Sequence, residues 1–176
     1  DVCSSDLLTA NQKIFEQSER QPNLSGMGTT ATILKISNRI ATIAQVGDSR
    51  AYFWNTHGLW QLTRDHSLVQ EKLRAGLITR DQLKTDEMKN VITRSVGYDL
   101  NLRVDIYSFP LEEDDGFLLC SDGLSGPLEE REMFGILEGS LKSTQTLTQA
   151  AQKLIDAAND KGGDDNITAL LVRSVH

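Results

Sequence analysis

Three aspartates each stand beside an apolar, strand-like run. Asp122 follows Phe117-Leu118-Leu119-Cys120-Ser121 and precedes Gly123, Asp48 lies in Gly47-Asp48-Ser49-Arg50, and Asp165 lies in Gly163-Asp164-Asp165-Asn166. A short continuous apolar run reads as a strand buried on both faces. Such a strand cannot bury a lone carboxylate, which has to be paired, hydrated or bound to a metal. Asp122 is therefore expected at the strand's exit, where Gly123 lets the backbone turn. Three strand ends of this kind bring carboxylates into one cleft, and grouped carboxylates hold hard divalent cations such as magnesium or manganese. A plain hairpin corner is the alternative for Asp122-Gly123, because Asp-Gly is a strong hairpin signal.

No competing catalytic set is visible. The chain has neither a Cys-x5-Arg phosphate loop nor a Gly-rich P-loop, and His57 and His66 lack zinc-like spacing. Gly26-Met27-Gly28 precedes a strand rather than a helix, which disfavours a phosphate cradle. His57, next to Gly58, reads as an exposed loop residue, and His66 as a structural or cleft-edge residue. Two cysteines, Cys3 and Cys120, are too few for a disulfide framework, and Cys120 reads as a small buried hydrophobe. With 176 residues, 39% hydrophobic and 24% charged, the composition is that of one globular domain with a real core. A formal net charge of -7 argues against a nucleic-acid partner and is compatible with a cation site. No stretch approaches the roughly 18 consecutive apolar residues of a membrane span. The first residues have no basic start or apolar core of a signal peptide. A cytoplasmic protein with no membrane partner is the expectation.

The elements that must position the acids follow from periodicity and turn chemistry. Leu8 to Arg20 reads as a helix. Thr29–Ile36 and Ile40–Val46 are β-branched runs separated by Ser37-Asn38-Arg39, a hairpin; Arg50–Trp54 and Leu59–Thr63 form a second pair. Ser67 to Ala75 opens with a Ser-x-x-Gln capping pattern, and Thr79-Arg80-Asp81-Gln82 repeats it. From there to Asn90 the chain is polar with few core anchors. Val91–Val96 reads as a short helix or strand, and Arg103–Phe109 as a strand ended by Pro110. Glu112-Glu113-Asp114-Asp115 is expected to face solvent. Helices follow over Glu129–Gly139 and from Thr146, where Leu147, Ala150, Ala151, Leu154, Ile155 and Ala158 mark one apolar face. Ile167–Val175 is a last strand. Sheets apolar on both faces, with helices to cover them, give an α+β layered architecture.

The same residues carry a family resemblance. Gly26-Met27-Gly28-Thr29-Thr30, Gly47-Asp48-Ser49-Arg50, Leu62-Thr63-Arg64-Asp65-His66-Ser67, Ile92-Thr93-Arg94-Ser95, Cys120-Ser121-Asp122-Gly123-Leu124 and Asp165-Asn166-Ile167-Thr168 occur in one order. In that order the chain resembles the metal-dependent serine/threonine protein phosphatases of type 2C, in a bacterial form. The resemblance implies two antiparallel β-sheets packed as a sandwich with flanking helices, a four-layer αββα arrangement, here with one edge missing. It implies that Asp122 and Asp165 bind one of two catalytic Mg2+ or Mn2+ ions, and that Asp48 joins Asp122 at a third. Gly123, Asn166 and Arg94 would serve as outer-shell or substrate-contacting residues, with Arg94 reaching a phosphate. Residues 67–90 would form a flap. The family's opening Arg-x-x-Asn-Glu-Asp and Asp-Gly-x-Gly-Gly segments are absent, so residues 8–176 read as the C-terminal portion of one phosphatase domain behind an atypical leader at 1–7. The implied activity is hydrolysis of phosphoserine and phosphothreonine in proteins by a metal-activated water, opposite a partner kinase. The alternative is a non-catalytic relative that binds phosphoproteins or regulatory partners.

Overall fold

The computed structural model describes residues 2–142 and 145–174. The chain is α+β, with two antiparallel sheets and flanking helices, in agreement with the sequence-based expectation. Its residues divide into two compact units. One contains the chain up to Lys35, Thr42–Asp48 and Asp65–Tyr107; the other contains Ile36–Ala41, Ser49–Arg64 and the chain from Ser108.

In the first unit the long helix α1 (Val2–Arg20) presents Leu7 and Ile14 to a cluster containing Ala44, Val46 and Val96. Strands β1 (Ala31–Ser37), β2 (Ile40–Val46) and β5 (Asp105–Pro110), each with residues assigned to both units, make a sheet of order β1-β2-β5. The β1–β2 turn is made by Asn38 and Arg39, both at positive φ (52° and 58°), as a two-residue turn matched to strand twist requires. Asn11 of α1 is buried, with Oδ1 accepting the Gly97 N–H (2.6 Å) and Nδ2 donating to the Asp99 carbonyl (2.8 Å). That side chain ties the loop after Val96 to the helix.

Helix α2 (Leu68–Arg74) forms where its periodicity places it, but the expected capping box does not. The Ser67 side chain makes no cap hydrogen bond. Ser67 instead pairs with Ile92 in an isolated bridge, and the Leu68 N–H donates to the Val91 carbonyl (2.9 Å). A second departure is Val91–Val96, which is neither helix nor strand; its pairing is confined to that bridge and to Thr29 with Val96. Val91 and Ile92 are exposed, so no packed face drives the segment into a regular element.

The second unit is built on β3 (Arg50–Asn55), β4 (Gly58–Gln61), β6 (Gly116–Cys120) and β7 (Ala169–Arg173), in the order β4-β3-β6-β7 with every neighbour antiparallel. Tyr52, Trp54, Leu118 and Cys120 alternate onto one face. There they meet Leu124 and Leu128, Met133 and Leu137 of α4 (Glu130–Leu141), and Ala150, Leu154 and Ala158 of α5 (Leu147–Asp160). On the other face Phe53 stacks on Trp60 and meets Phe117 edge-on, with centroids 5.8 and 5.9 Å apart. All five residues of β6 are buried, as a run apolar on both faces demands. Cys120 is buried in this core, in agreement with its reading as a small hydrophobe. Cys3's side chain lies outside what the structure describes.

The acidic turn before β6 is not wholly solvent-facing. Asp115 is 7% exposed, and its carboxylate reaches back three residues to accept the Glu112 N–H at 2.8 Å, which folds this acid inward. Asp114, at φ 65°, stays outside and pairs with Arg173 at 2.7 Å.

Candidate metal centre

The antiparallel pairing of β6 with β7 ends at Cys120 opposite Ala169. The exit of one strand therefore lies beside the entry of the other, and the two acids flank this junction: Asp122 two residues after Cys120, Asp165 four before Ala169. Ser121 extends the ladder beyond its last pair. Its N–H donates to the Thr168 carbonyl (3.3 Å), its Oγ donates to the Asn166 carbonyl (2.8 Å), and the same Oγ accepts the Thr168 N–H (3.0 Å). Three hydrogen bonds from one residue thus hold the loop of Asp165 against the turn of Asp122.

Gly123 completes the junction by its size. A Cβ there would lie 2.5 Å from the Asn166 carbonyl oxygen and 3.3 Å from the Asp165 carbonyl carbon, so only glycine lets the two backbones approach. Its role is close approach rather than a turn. Asp122 opens a short helix α3 (Asp122–Ser125), which disposes of the hairpin alternative. Asp122, Asp165 and Asn166 are all exposed.

Each carboxylate has one oxygen held locally. Asp122 Oδ1 accepts the Gly123 N–H (3.0 Å), and Asp165 Oδ1 accepts the Asn166 N–H (2.7 Å). Carboxylate oxygens are hard donors, and this donor chemistry fits magnesium or manganese. The donor number does not close a site: among the described residues no group of three or more His, Cys, Asp or Glu side chains is arranged to hold a metal ion.

Asp48 belongs to the first unit, at the turn that leaves β2. Gly47 before it is at φ +104°, and a Cβ there would come within 2.3 Å of Thr30 Cγ2. His66, 1% exposed, clamps this turn from two sides: Gly47 N–H donates to its Nδ1 (3.1 Å), and its own N–H donates to the Gly47 carbonyl (2.9 Å). Gln45 Nε2 reaches the same carbonyl at 3.0 Å. On the far side of the ring, Nε2 lies 3.1 Å from Asp105 Oδ2, and Arg94 Nη1 donates to Asp105 Oδ1 at 2.8 Å. Burial pushes His66 below the ordinary histidine value, against the hydrogen bond with Asp105. Burial also acts on Asp105, upward, but the bonds from Arg94 and His66 outweigh it and hold this carboxyl below the usual aspartate value.

The sequence-expected residues are thus distributed as follows. Asp122, Gly123, Asp165 and Asn166 meet at one junction. Asp48 sits on the His66-clamped turn, and Arg94, expected at a phosphate, commits Nη1 to Asp105. Two residues went unread. Ser121 carried no signal beyond its place between strand and acid. Asp105 heads β5, 39 residues from His66 and 11 from Arg94, and nothing in such spacing links them.

Protein phosphatase 2C is the family whose model matches, over residues 1–167. The chain is 43% identical over 162 residues to the serine/threonine phosphatase stp of Listeria monocytogenes serotype 4b, covering 92% of this chain and 63% of that protein. It is 37% identical to the protein phosphatase PhpP of Streptococcus pneumoniae, over 92% of this chain and 64% of the relative. The chain therefore spans under two thirds of the length of these relatives. Among solved structures, a bacterial serine phosphatase superposes with a TM-score of 0.90 at 29% identity, covering 96% of this chain and 67% of that one. The catalytic domain of PstP in complex with two manganese ions superposes with a TM-score of 0.82 at 30% identity, covering 94% and 67%. With the family match running through both the Gly47–His66 turn and the Asp122–Asp165 junction, the chain belongs to the protein phosphatase 2C family.

Proposed function

We propose that this chain is part of a metal-dependent phosphatase that removes phosphate from phosphoserine and phosphothreonine in proteins. The observation that supports this reading is the Ser121-pinned junction, which holds the loop carrying Asp165 against the turn carrying Asp122 in a member of a phosphatase family. In the proposal Asp122 and Asp165 hold one divalent cation, Mg2+ or Mn2+, and Asp48 is a ligand of a further ion. Bound there, the cations supply charge to the phosphoryl oxygens and lower the pKa of the attacking water. The chain's own residues fix geometry. Gly123 sets the separation of the two loops, Asn166 orients the Asp165 carboxylate through its N–H, and Arg94 holds Asp105. In the same proposal the substrate is a phosphoprotein, by likeness to the named serine/threonine phosphatases, and the chain works in the cytoplasm opposite a kinase. Among the described residues no helix is long and apolar enough to cross a membrane.

The absence of a three-ligand group among the described residues favours a second reading, a phosphatase-like domain that binds without hydrolysis. One assay separates them: manganese-dependent phosphate release from phosphoserine and phosphothreonine peptides. It is run on the 176-residue chain and on a chimera completed with the part of the Listeria relative that this chain does not match. The chain alone is expected to be inactive and the chimera active. In the chimera Asp122→Asn should lower turnover by about a hundredfold or more, with a smaller loss for Asp48→Asn. An inactive, folded and metal-loaded chimera sinks the hydrolytic reading.

A further inference from the structure

We infer that His66 is a positioning residue for Asp48, acting as the neutral imidazole with its proton on Nε2. The Gly47 N–H points at Nδ1, so that nitrogen must carry a lone pair. The ring proton then sits on Nε2 and donates to Asp105 Oδ2, 3.1 Å away, while Arg94 keeps Asp105 ionised and oriented through its other oxygen. Arg94, Asp105, His66 and Gly47 form one chain of hydrogen bonds that ends on the residue before Asp48. With His66 buried and Gly47 held through both its N–H and its carbonyl, the φ +104° turn has one conformation, and the direction of Asp48 is fixed with it. The opposite tautomer or the imidazolium would set a proton on Nδ1 against the Gly47 N–H and release the turn. Arg94 and Asp105 therefore act at a distance, by selecting the tautomer. The consequence for a cation at Asp48 rests on the reading of Asp48 as a ligand given above.

The test is nuclear magnetic resonance of the 15N-labelled 176-residue chain, with manganese as the paramagnetic probe. The expected wild-type result is a 15N–15N coupling across the Gly47 N–H···Nδ1 hydrogen bond and a proton on His66 Nε2. Asp105→Ala should abolish that coupling and speed Gly47 amide exchange by about tenfold, the equivalent of one buried hydrogen bond. It should also raise, by a similar factor, the manganese needed to broaden the Asp48 amide, leaving broadening at Gly123 and Asn166 unchanged. His66→Asn, whose side-chain oxygen takes the place of Nδ1, should keep Gly47 protected better than His66→Gln. A proton on Nδ1 overturns the inference, and so does Asp105→Ala affecting all amides equally, as a merely structural role would. An intact coupling with no manganese effect at Asp48 in the wild type upholds the positioning of the turn and removes Asp48 from the metal site instead.

Discussion

Gly123 shows how a residue is legible in type and misread in cause. Asp-Gly after an apolar run points to a turn, yet its backbone is ordinary, and what it lacks is the Cβ that would strike the Asn166 carbonyl at 2.5 Å. Gly123→Ala has to push backbone against backbone, so it is expected to cost about 1–3 kcal/mol in urea denaturation. The substitution should also weaken manganese binding, because the two loops move apart. His66 was visible only as a histidine near a strand end; its burial and partners depend on long-range contacts that a sequence window does not contain. Its depressed pKa gives a pH dependence with a definite sign. From its folded value up to 6.5 the unfolded chain binds more protons than the folded one, so stability rises with pH there. The contribution is complete above pH 6.5 and is lost as pH falls through that window; Asp105, an acid with a depressed pKa, adds a separate loss below 3.8. Urea midpoints measured against pH should show the upper slope in the wild type and not in His66→Gln.

The helices and strands with a strong local pattern were read correctly, whereas the Ser67 cap and the Val91–Val96 segment, settled by distant partners, were not. Helix α5 carries both a periodic face and a true capping box, in which Thr146 Oγ1 accepts the Gln149 N–H (3.2 Å) and Gln149 Oε1 accepts the Thr146 N–H (2.9 Å). Ser67 has the same spacing and no such bonds, because its backbone is drawn into pairing with Ile92. Thr146→Ala should therefore lower stability by about 1 kcal/mol and Ser67→Ala by less, a difference read from paired denaturation curves. Between α2 and Asn90 the chain exposes Leu77 and Met88 and is tied by the Lys72–Asp86 pair, 2.9 Å. Hydrogen exchange should be fast across Ser67–Asn90 and slow across Phe117–Cys120, whose residues are all buried. Equal protection in the two segments would contradict this.

At the scale of the whole molecule, the α+β class, the two antiparallel sheets and the family were all legible, because six short motifs fall in one order along the chain. The hydrogen-bond chain that fixes the Asp48 turn was not, since each of its links joins residues from different elements. Asp122 and Asp165 were legible as acids at strand ends, whereas their meeting depends on the β6–β7 register and on the side chain of Ser121. The most direct test that this junction is a cation site is a manganese titration of the 15N-labelled 176-residue chain. Two neighbouring carboxylates with no third ligand among the described residues should bind weakly, and the amides of Asp122, Gly123, Asp165 and Asn166 should broaden first. In the Asp122→Asn, Asp165→Asn double variant that broadening should vanish while the fold persists. Broadening at the junction that survives the double substitution, or that begins elsewhere in the chain, would contradict the assignment.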